Sequence, residues 1–411
     1  MAALLLAPAS APADDKPWAL HVIDDSSRGA DGVRLADVNG DGRLDIATGW
    51  EEGGITRVYL HPGPGKVKDA WPAVTVGRTP NVEDAVLGDL DADGSADVIA
   101  CCEGRTRSIF IHWGPKRDLL LDPAGWTQQP LPAARGRMMW MFALPMQLDG
   151  RCGLDIVAGG KGAGAQIGWF AAPSDARKLD EWTWHAISPA GWIMSLIAVD
   201  MDGDGDLDVV TSDRKGALRG CRWLENPGPG AEQSKPWANH FIGGRDLEVM
   251  FMRLADLDGD GLEDAIVAVK PRRVLWLRRL DKSGLKWETR ELPYPDGMGT
   301  AKAVAAGDID GDGKLDVVIS CEGADKPLSG VRWIGRQKRD GRETWAPHEI
   351  AGPPGSKFDR IELLDMAIYS MVKTNTFNGL ALPSIAIWDS VAKQFQLIRQ
   401  FTYEDFKNRL S

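Results

Sequence analysis

Asp200–Asp208 reads "DMDGDGDLD", five aspartates on alternate positions with glycine at the fourth and sixth. Carboxylates this dense repel one another unless a cation sits among them. The spacing Asp-x-Asp-x-Asp-Gly resembles the opening of an EF-hand, which also needs a bidentate Glu at position 12 and flanking helices. Position 12 here is Thr211, inside the β-forming run "VVTSD", so the EF-hand is excluded. A β-hairpin loop fits. Side chains at positions 1, 3, 5 and 9 converge, position 7 offers its backbone carbonyl, and Gly at 6 allows a tight turn. An all-oxygen set with this many carboxylates suits Ca²⁺ better than Mg²⁺, which prefers octahedral geometry and its own waters.

The loop recurs as "DVNGDGRLD" (Asp37–Asp45), "DLDADGSAD" (Asp89–Asp97), "DLDGDGLED" (Asp256–Asp264) and "DIDGDGKLD" (Asp308–Asp316). Position 12 is Thr48, Ala100, Val267 and Ile319 in these, none a calcium ligand. Five calcium sites are therefore expected. Their ligands are Asp37, Asn39, Asp41, Arg43 and Asp45; Asp89, Asp91, Asp93, Ser95 and Asp97; Asp200, Asp202, Asp204, Asp206 and Asp208; Asp256, Asp258, Asp260, Leu262 and Asp264; and Asp308, Asp310, Asp312, Lys314 and Asp316, the fourth of each set through its carbonyl. Successive starts lie 52, 111, 56 and 52 residues apart. The long gap holds one divergent unit, "PMQLDGRCGLD" (Pro145–Asp155), which looks stretched by two residues with proline at position 1, so no metal is expected there. A further period lands on "DMAIYSMVKTNTF" from Asp365, which keeps only its first aspartate and is also expected to be empty.

Seven units of about 55 residues result, each with the same grammar. An apolar run leads into the loop and another leaves it ("IATGW", "VIACC", "IVAGG", "VVTSD", "AIVAV", "VVISC"). A third run carries an aromatic, as in "CRWLENPGPG", and a fourth follows Trp-x-x-His-x-Ile or a relative. Four short β runs per unit predict an all-β, seven-bladed propeller of four-stranded blades. The last unit offers "SIAIWDS" and "FQLIRQF" as its second and third strands but no fourth. "PWALHVID" (Pro17–Asp24) matches the missing piece, so the N-terminal strand is expected to close the ring against the C-terminal blade. The propeller then spans 17–401 as one domain, between residues 1–16 and a tail at 402–411.

The opening "MAALLLAPASAPADD" reads as the end of an export signal, so a periplasmic or extracellular location is expected. No other apolar run approaches the ~18 residues of a membrane helix. A net charge of −11 argues against nucleic acid. Five cysteines without a Cys-x-x-Cys suggest neither a disulfide framework nor a zinc site. There is no phosphate loop, dinucleotide fingerprint or nucleophile elbow, hence no organic cofactor to expect. The protein is expected to be a monomer.

Counting from the loops points to the opposite face. Six residues after each closing aspartate come Glu51, Glu103, Lys161, Arg214, Lys270 and Glu322, with Asp389 nearest in the last unit. Six residues before each loop start come Asp31, Glu83, Met139, Met194, Met250, Lys302 and Asp359. Trp140, Trp192, Phe251 and Glu248 neighbour these. The mouth should thus be apolar and aromatic on one side, ionic on the other. Such a site suits a sugar, with its ring on Trp140 or Trp192 and its hydroxyls or acid group met by charges. No histidine falls at the mouth, which disfavours a histidine-ligated zinc there. Trp50 and Trp388 are also off the regular blade positions and near the mouth; most of the other tryptophans fall at those positions and should pack between blades.

The loops and the period resemble FG-GAP/VCBS repeat proteins, whose best-known members are integrin alpha-chain propellers. The resemblance implies structural Ca²⁺ in loops joining strands 1 and 2 on the bottom face, with ligands on the face opposite. Units such as "RWLENPG" with "WANHFI" are similar to the propeller part of fungal aldos-2-ulose dehydratase, although its histidine-rich site is not matched. Two functions follow beside protein interaction. One is carbohydrate binding at the mouth. The other is a sugar lyase or dehydratase, in which Glu83, Lys302 or Asp359 moves a proton and Arg214 or Lys270 neutralises an acid group.

Overall fold

The apolar run before each loop pairs with the run after it, so every acidic loop is the tip of an antiparallel hairpin. The computed structural model describes residues 17–151, 153–325, 327–339, 341–351, 357–364, 367–373 and 384–389. The N-terminal segment 1–16, "FQLIRQF" and the tail lie outside these residues.

The chain is all-β. Five units are separate four-stranded sheets with strands in sequence order. Unit 1 comprises Ala30–Ala36, Asp45–Trp50, Ile55–Tyr59 and Ala73–Arg78. Unit 2 comprises Val82–Gly88, Asp97–Cys102, Ser108–Trp113 and Thr127–Pro130. Unit 3 comprises Met139–Met146, Asp155–Lys161, Gln166–Ala171 and Thr183–Pro189. Unit 4 comprises Ile193–Val199, Asp208–Asp213, Gly220–Glu225 and Ala238–Gly243. Unit 5 comprises Val249–Ala255, Asp264–Val269, Arg273–Arg279 and Trp287–Leu292.

The sixth sheet has eight strands. One half is Thr300–Gly307, Asp316–Glu322, Val331–Arg339 and Arg342–Glu349. The other half is Lys357–Leu364, Ala367–Lys373 and Ser384–Asp389, with N-terminal Ala19–Asp24 on its outer edge. One residue pair, Glu322 with Lys357, joins the halves. "SIAIWDS", expected as a second strand, is therefore a third strand, because Ala367–Lys373 comes between it and Lys357–Leu364.

Burial explains the order within a sheet. Second strands such as Asp45–Trp50 and Asp264–Val269 are buried along their whole length, because a neighbouring sheet covers each face. Outer strands such as Ala19–Asp24 are mostly exposed. Trp113, Trp169, Trp223 and Trp333 are buried as expected. Trp223 and Trp333 stack on His240 and His348 of the next strand at 4.4 and 4.2 Å.

All seven inner strands carry a register break in their first half. It falls at Gly32-Val33, Glu83, Met141, Met194, Met250-Phe251, Lys302 and Asp359-Arg360. A β-bulge leaves a residue out of the ladder and re-aims its side chain. Counting back from the loops thus lands on or beside a bulge in every unit but the third, where Met139 pairs in register with Lys161 and the bulge is at Met141.

Candidate functional site: the acidic loops and the opposite mouth

Two hydrogen-bond layers hold each acidic loop. Asp200 at position 1 accepts from the N–H groups of Gly203 and Gly205 at 2.8 and 3.2 Å, and Asp204 accepts from Asp206 at 2.9 Å. Position 6 takes a left-handed conformation in all five loops, with φ from +82° at Gly42 to +98° at Gly205. Glycine is used there because a Cβ would be strained.

Position 9 does something the ligand count missed. Asp208 is buried; one oxygen accepts from Met201 N–H and the other from Asn226 N–H, both at 2.8 Å. Asp45, Asp97, Asp155, Asp264 and Asp316 make the same pair of bonds. The closing aspartate therefore ties the loop to the end of the third strand. Burial pushes Asp97, Asp208 and Asp316 up to about 7 and Asp155 up to about 6.

Asp155 also corrects the alignment of the divergent loop. Leu148 donates to it across seven residues, as Met201 does to Asp208, so position 1 is Gln147 and nothing is stretched. Gln147 accepts from Gly150 N–H at 2.9 Å and donates to the carbonyls of Arg151 and Gly153. Six residues before Gln147 lies Met141, so Met141 replaces Met139 at the channel position; it is fully buried.

The residues fit a hard divalent cation at four loops. Carboxylate oxygens of Asp89, Asp91 and Asp97, of Asp200, Asp202 and Asp208, of Asp256, Asp258 and Asp260, and of Asp308, Asp310 and Asp316 lie within 4.8 Å of one another in each set. Buried Oδ1 atoms of Asp258 and Asp308 have no hydrogen-bond partner among the described residues. In the first loop Asn39 takes the third position and accepts from Asp41 N–H at 2.8 Å.

At the mouth the expected aromatic platform is absent. Trp140 is fully buried against Phe170 and Trp184, and Met194 and Met250 are buried too. Their side chains fill the space between sheets, which outweighs exposure for groups this apolar. Trp192 is half-buried and faced by Arg214, Lys161 and Lys215 at 4.3, 4.6 and 5.0 Å from its ring centre, so a sugar would have to displace these cations.

The charged positions pair between neighbouring units. Glu103 meets Lys161, Arg214 meets Glu248 at 2.5 Å, and Lys270 meets Glu322. Lys302 reaches Asp359 at 3.2 Å and Glu322 at 3.7 Å, and Lys357 reaches Asp359 at 2.6 Å. Deeper, Arg34 holds Asp84 through two bonds of 2.9 and 2.8 Å. This belt works as an inter-unit clasp. It also takes Lys302, Asp359, Arg214 and Lys270 into ion pairs.

Among the described residues the belt has a gap at Glu83 of unit 2. Carboxylates of Glu51, Glu83 and Glu103 lie within 4.8 Å of one another, and no hydrogen bond or ion pair reaches Glu83 among the described residues. Burial, then the neighbouring Asp31, pushes Glu83 up to about 8; Lys161 opposes this, while Glu103 and Glu51 add to it. The unpartnered bulge residue Glu83 is the outstanding group of the mouth.

Comparison with known proteins bears on these sites. Residues 37–100, 148–211 and 222–319, together more than half of the chain, match the FG-GAP-like repeat family model. YCF48 from Cyanidioschyzon merolae superposes with a TM-score of 0.52 at 9 % identity, covering 90 % of this chain and 98 % of that one, a likeness of fold alone. A short stretch is similar to curated decarboxylases. Carboxyaminopropylagmatine decarboxylase of Synechocystis is 48 % identical over 52 residues, 13 % of each chain. Carboxynorspermidine/carboxyspermidine decarboxylase of Campylobacter jejuni is 41 % identical over 51 residues, 12 % of this chain and 13 % of that one. The chain thus spans only about an eighth of these relatives. No helix among the described residues is long and apolar enough to cross a membrane. With the acidic hairpin loops, the sheet order and the matched repeats in agreement, the chain belongs to the FG-GAP-like repeat family.

Proposed function

We propose that this is an exported, seven-bladed binding propeller, stabilised by calcium in its acidic loops, with its ligand site on the opposite face. The ligand is polar and read by charge, not by ring stacking. The observation that carries the site is Glu83, which no hydrogen bond or ion pair reaches among the described residues although the carboxylates of Glu51 and Glu103 lie within 4.8 Å. A carboxyl group placed so favours a partner that brings positive charge or hydrogen-bond donors. A protein loop bearing a basic side chain and an amino sugar both answer to that chemistry. The test is a screen of glycans, sugar acids and basic peptides with wild type and Glu83→Gln. Binding that Glu83→Gln lowers tenfold, with an unchanged melting curve, supports the site. Equal binding by both proteins overturns it. Reading absorbance near 235 nm in the same screen tests the lyase alternative.

Seven blades follow if the eight-stranded sheet is two blades joined at one residue pair. Backbone hydrogen bonds support this. Trp237 N–H donates to Ile187 O at 3.0 Å, from the outer piece of unit 4 to that of unit 3. Trp71 donates likewise to Ile23, and Trp18 to Ile350, at 3.3 and 2.8 Å. These bonds link the N-terminal strand to the outer pieces of units 6 and 1, which supports reading it as the outer strand of a seventh blade. Asp24 fastens it to unit 1, accepting from Arg57 at 2.5 Å and the Tyr59 hydroxyl at 2.7 Å.

The strands Ala367–Lys373 and Ser384–Asp389 place the N-terminal strand at the edge of the sixth sheet. A variant ending at Leu364 tests whether these strands close the ring. A large fall in melting temperature supports closure by these strands; an unchanged curve overturns it.

A further inference from the structure

The acidic loops differ in what already stands beside their carboxylates. In the loop Asp89–Asp97, Arg177 donates to Asp91 at 2.5 Å and to Asp93 at 3.0 Å, positions 3 and 5 of the ligand set. Arg177 comes from unit 3, in the connection after Gln166–Ala171, and lies 4.8 Å over the ring of Trp113. In the loop Asp256–Asp264, Arg278 of the same unit reaches Asp258 and Asp260, again positions 3 and 5. Among the described residues no Lys or Arg is paired with Asp200, Asp202 or Asp204, nor with Asp308, Asp310 or Asp312. In the divergent loop the charge is built in, with Arg151 at position 5 and 3.3 Å from Asp149.

We propose that Arg177 and Arg278 are resident counter-cations that compete with calcium, so that loops Asp89–Asp97 and Asp256–Asp264 bind it more weakly than Asp200–Asp208 and Asp308–Asp316. The inference rests on the calcium reading of the loops. A guanidinium and a divalent cation draw on the same carboxylate lone pairs, and each raises the potential felt by the other. Without calcium the arginine offsets the repulsion among the aspartates, and the loop keeps its shape. With calcium the arginine must move or remain beside a like charge. These two loops would thus stay folded when calcium is scarce, as would Asp37–Asp45, where Arg43 lies 3.3 Å from Asp41, and Arg177 would keep units 2 and 3 joined in that state.

Calcium titration by calorimetry, together with melting curves in calcium and in EDTA, tests this on full-length wild type, Arg177→Gln, Arg278→Gln and Arg177→Lys. Wild type should show at least two classes of calcium site. Each glutamine variant should tighten one weak site about 5-fold or more, the low end of typical coupling between two ligands. Each should melt lower than wild type in EDTA, with the deficit shrinking in calcium. Arg177→Lys should keep the wild-type isotherm, since it keeps the charge. Unchanged calcium affinity in both glutamine variants overturns the competition while leaving the calcium reading in place. A tightened site in Arg177→Lys overturns the charge argument in favour of packing on Trp113. No calcium uptake by any of the four proteins overturns the calcium reading and this inference together.

Discussion

The loops Asp200–Asp208 and Gln147–Asp155 have the same length and the same bond from position 2 to a closing aspartate, yet opposite electrostatics. In the first, Asp200 accepts hydrogen bonds from Gly203 and Gly205, and among the described residues no Lys or Arg pairs with Asp200, Asp202 or Asp204. In the second, Gln147 is an amide. It accepts one N–H and donates to two carbonyls, so the turn is satisfied without an ion. The comparison separates two jobs that the sequence merges. The outer positions are those a cation would meet, and the closing aspartate fastens the hairpin with none present.

Calcium removal should break the comparison most strongly. At a hundredfold excess over its dissociation constant each occupied site adds about 2.7 kcal/mol. For four or five sites in a chain this long, EDTA should lower the melting temperature by about 10 °C. An unchanged curve would refute the calcium assignment.

The closing aspartates come next. Asp208→Ala and Asp155→Ala each leave two buried N–H groups without acceptors, at a cost of about 2–4 kcal/mol. For Asp155→Ala chemical denaturation should give the same loss with and without calcium. A loss that vanishes in EDTA would mean the divergent loop does bind metal.

Converting the divergent loop sharpens the contrast. Gln147→Asp combined with Arg151→Asp restores carboxylates at positions 1 and 5, and should add one calcium site worth about 3 kcal/mol at saturating ion. Calorimetry that counts no extra site would show that more than these two positions sets the ion's affinity.

The smallest effect concerns pH. Asp155 sits at about 6 in the fold, raised by burial and by Asp149, against an ordinary 3.8. The folded state then holds its proton more tightly than the unfolded chain. This contribution favours folding below about pH 4, fades as pH rises through 6, and is constant above. Asp155→Asn should remove that slope from the stability profile in EDTA.

Much of this was legible in order along the chain. Acidic loops, apolar runs and Trp-x-x-His-x-Ile pieces repeat at a nearly constant period, so the strand content of six units could be read from short-range pattern alone. The mouth was not legible in the same way. Counting located the inner-strand bulges at Glu83, Met194, Met250, Lys302 and Asp359, but a count carries no information about burial. Trp140 and Met250 turn inward because apolar surface is covered by the next sheet. Pairings such as Glu103 with Lys161 and Lys270 with Glu322 join residues about a full repeat apart, which only the placement of neighbouring sheets brings together.

The sequence by itself determined the hairpin loops, because ligand spacing, glycine at position 6 and β-forming flanks are local properties of nine to fifteen residues. Only the tertiary structure decided which charges are spent on holding units together and which are left over. Arg177 reaches Asp91 from the next unit, and among the described residues no hydrogen bond or ion pair reaches Glu83 although charged residues surround it. Coulomb energies depend on distances through space, and in a repeat fold those distances are set between neighbouring units.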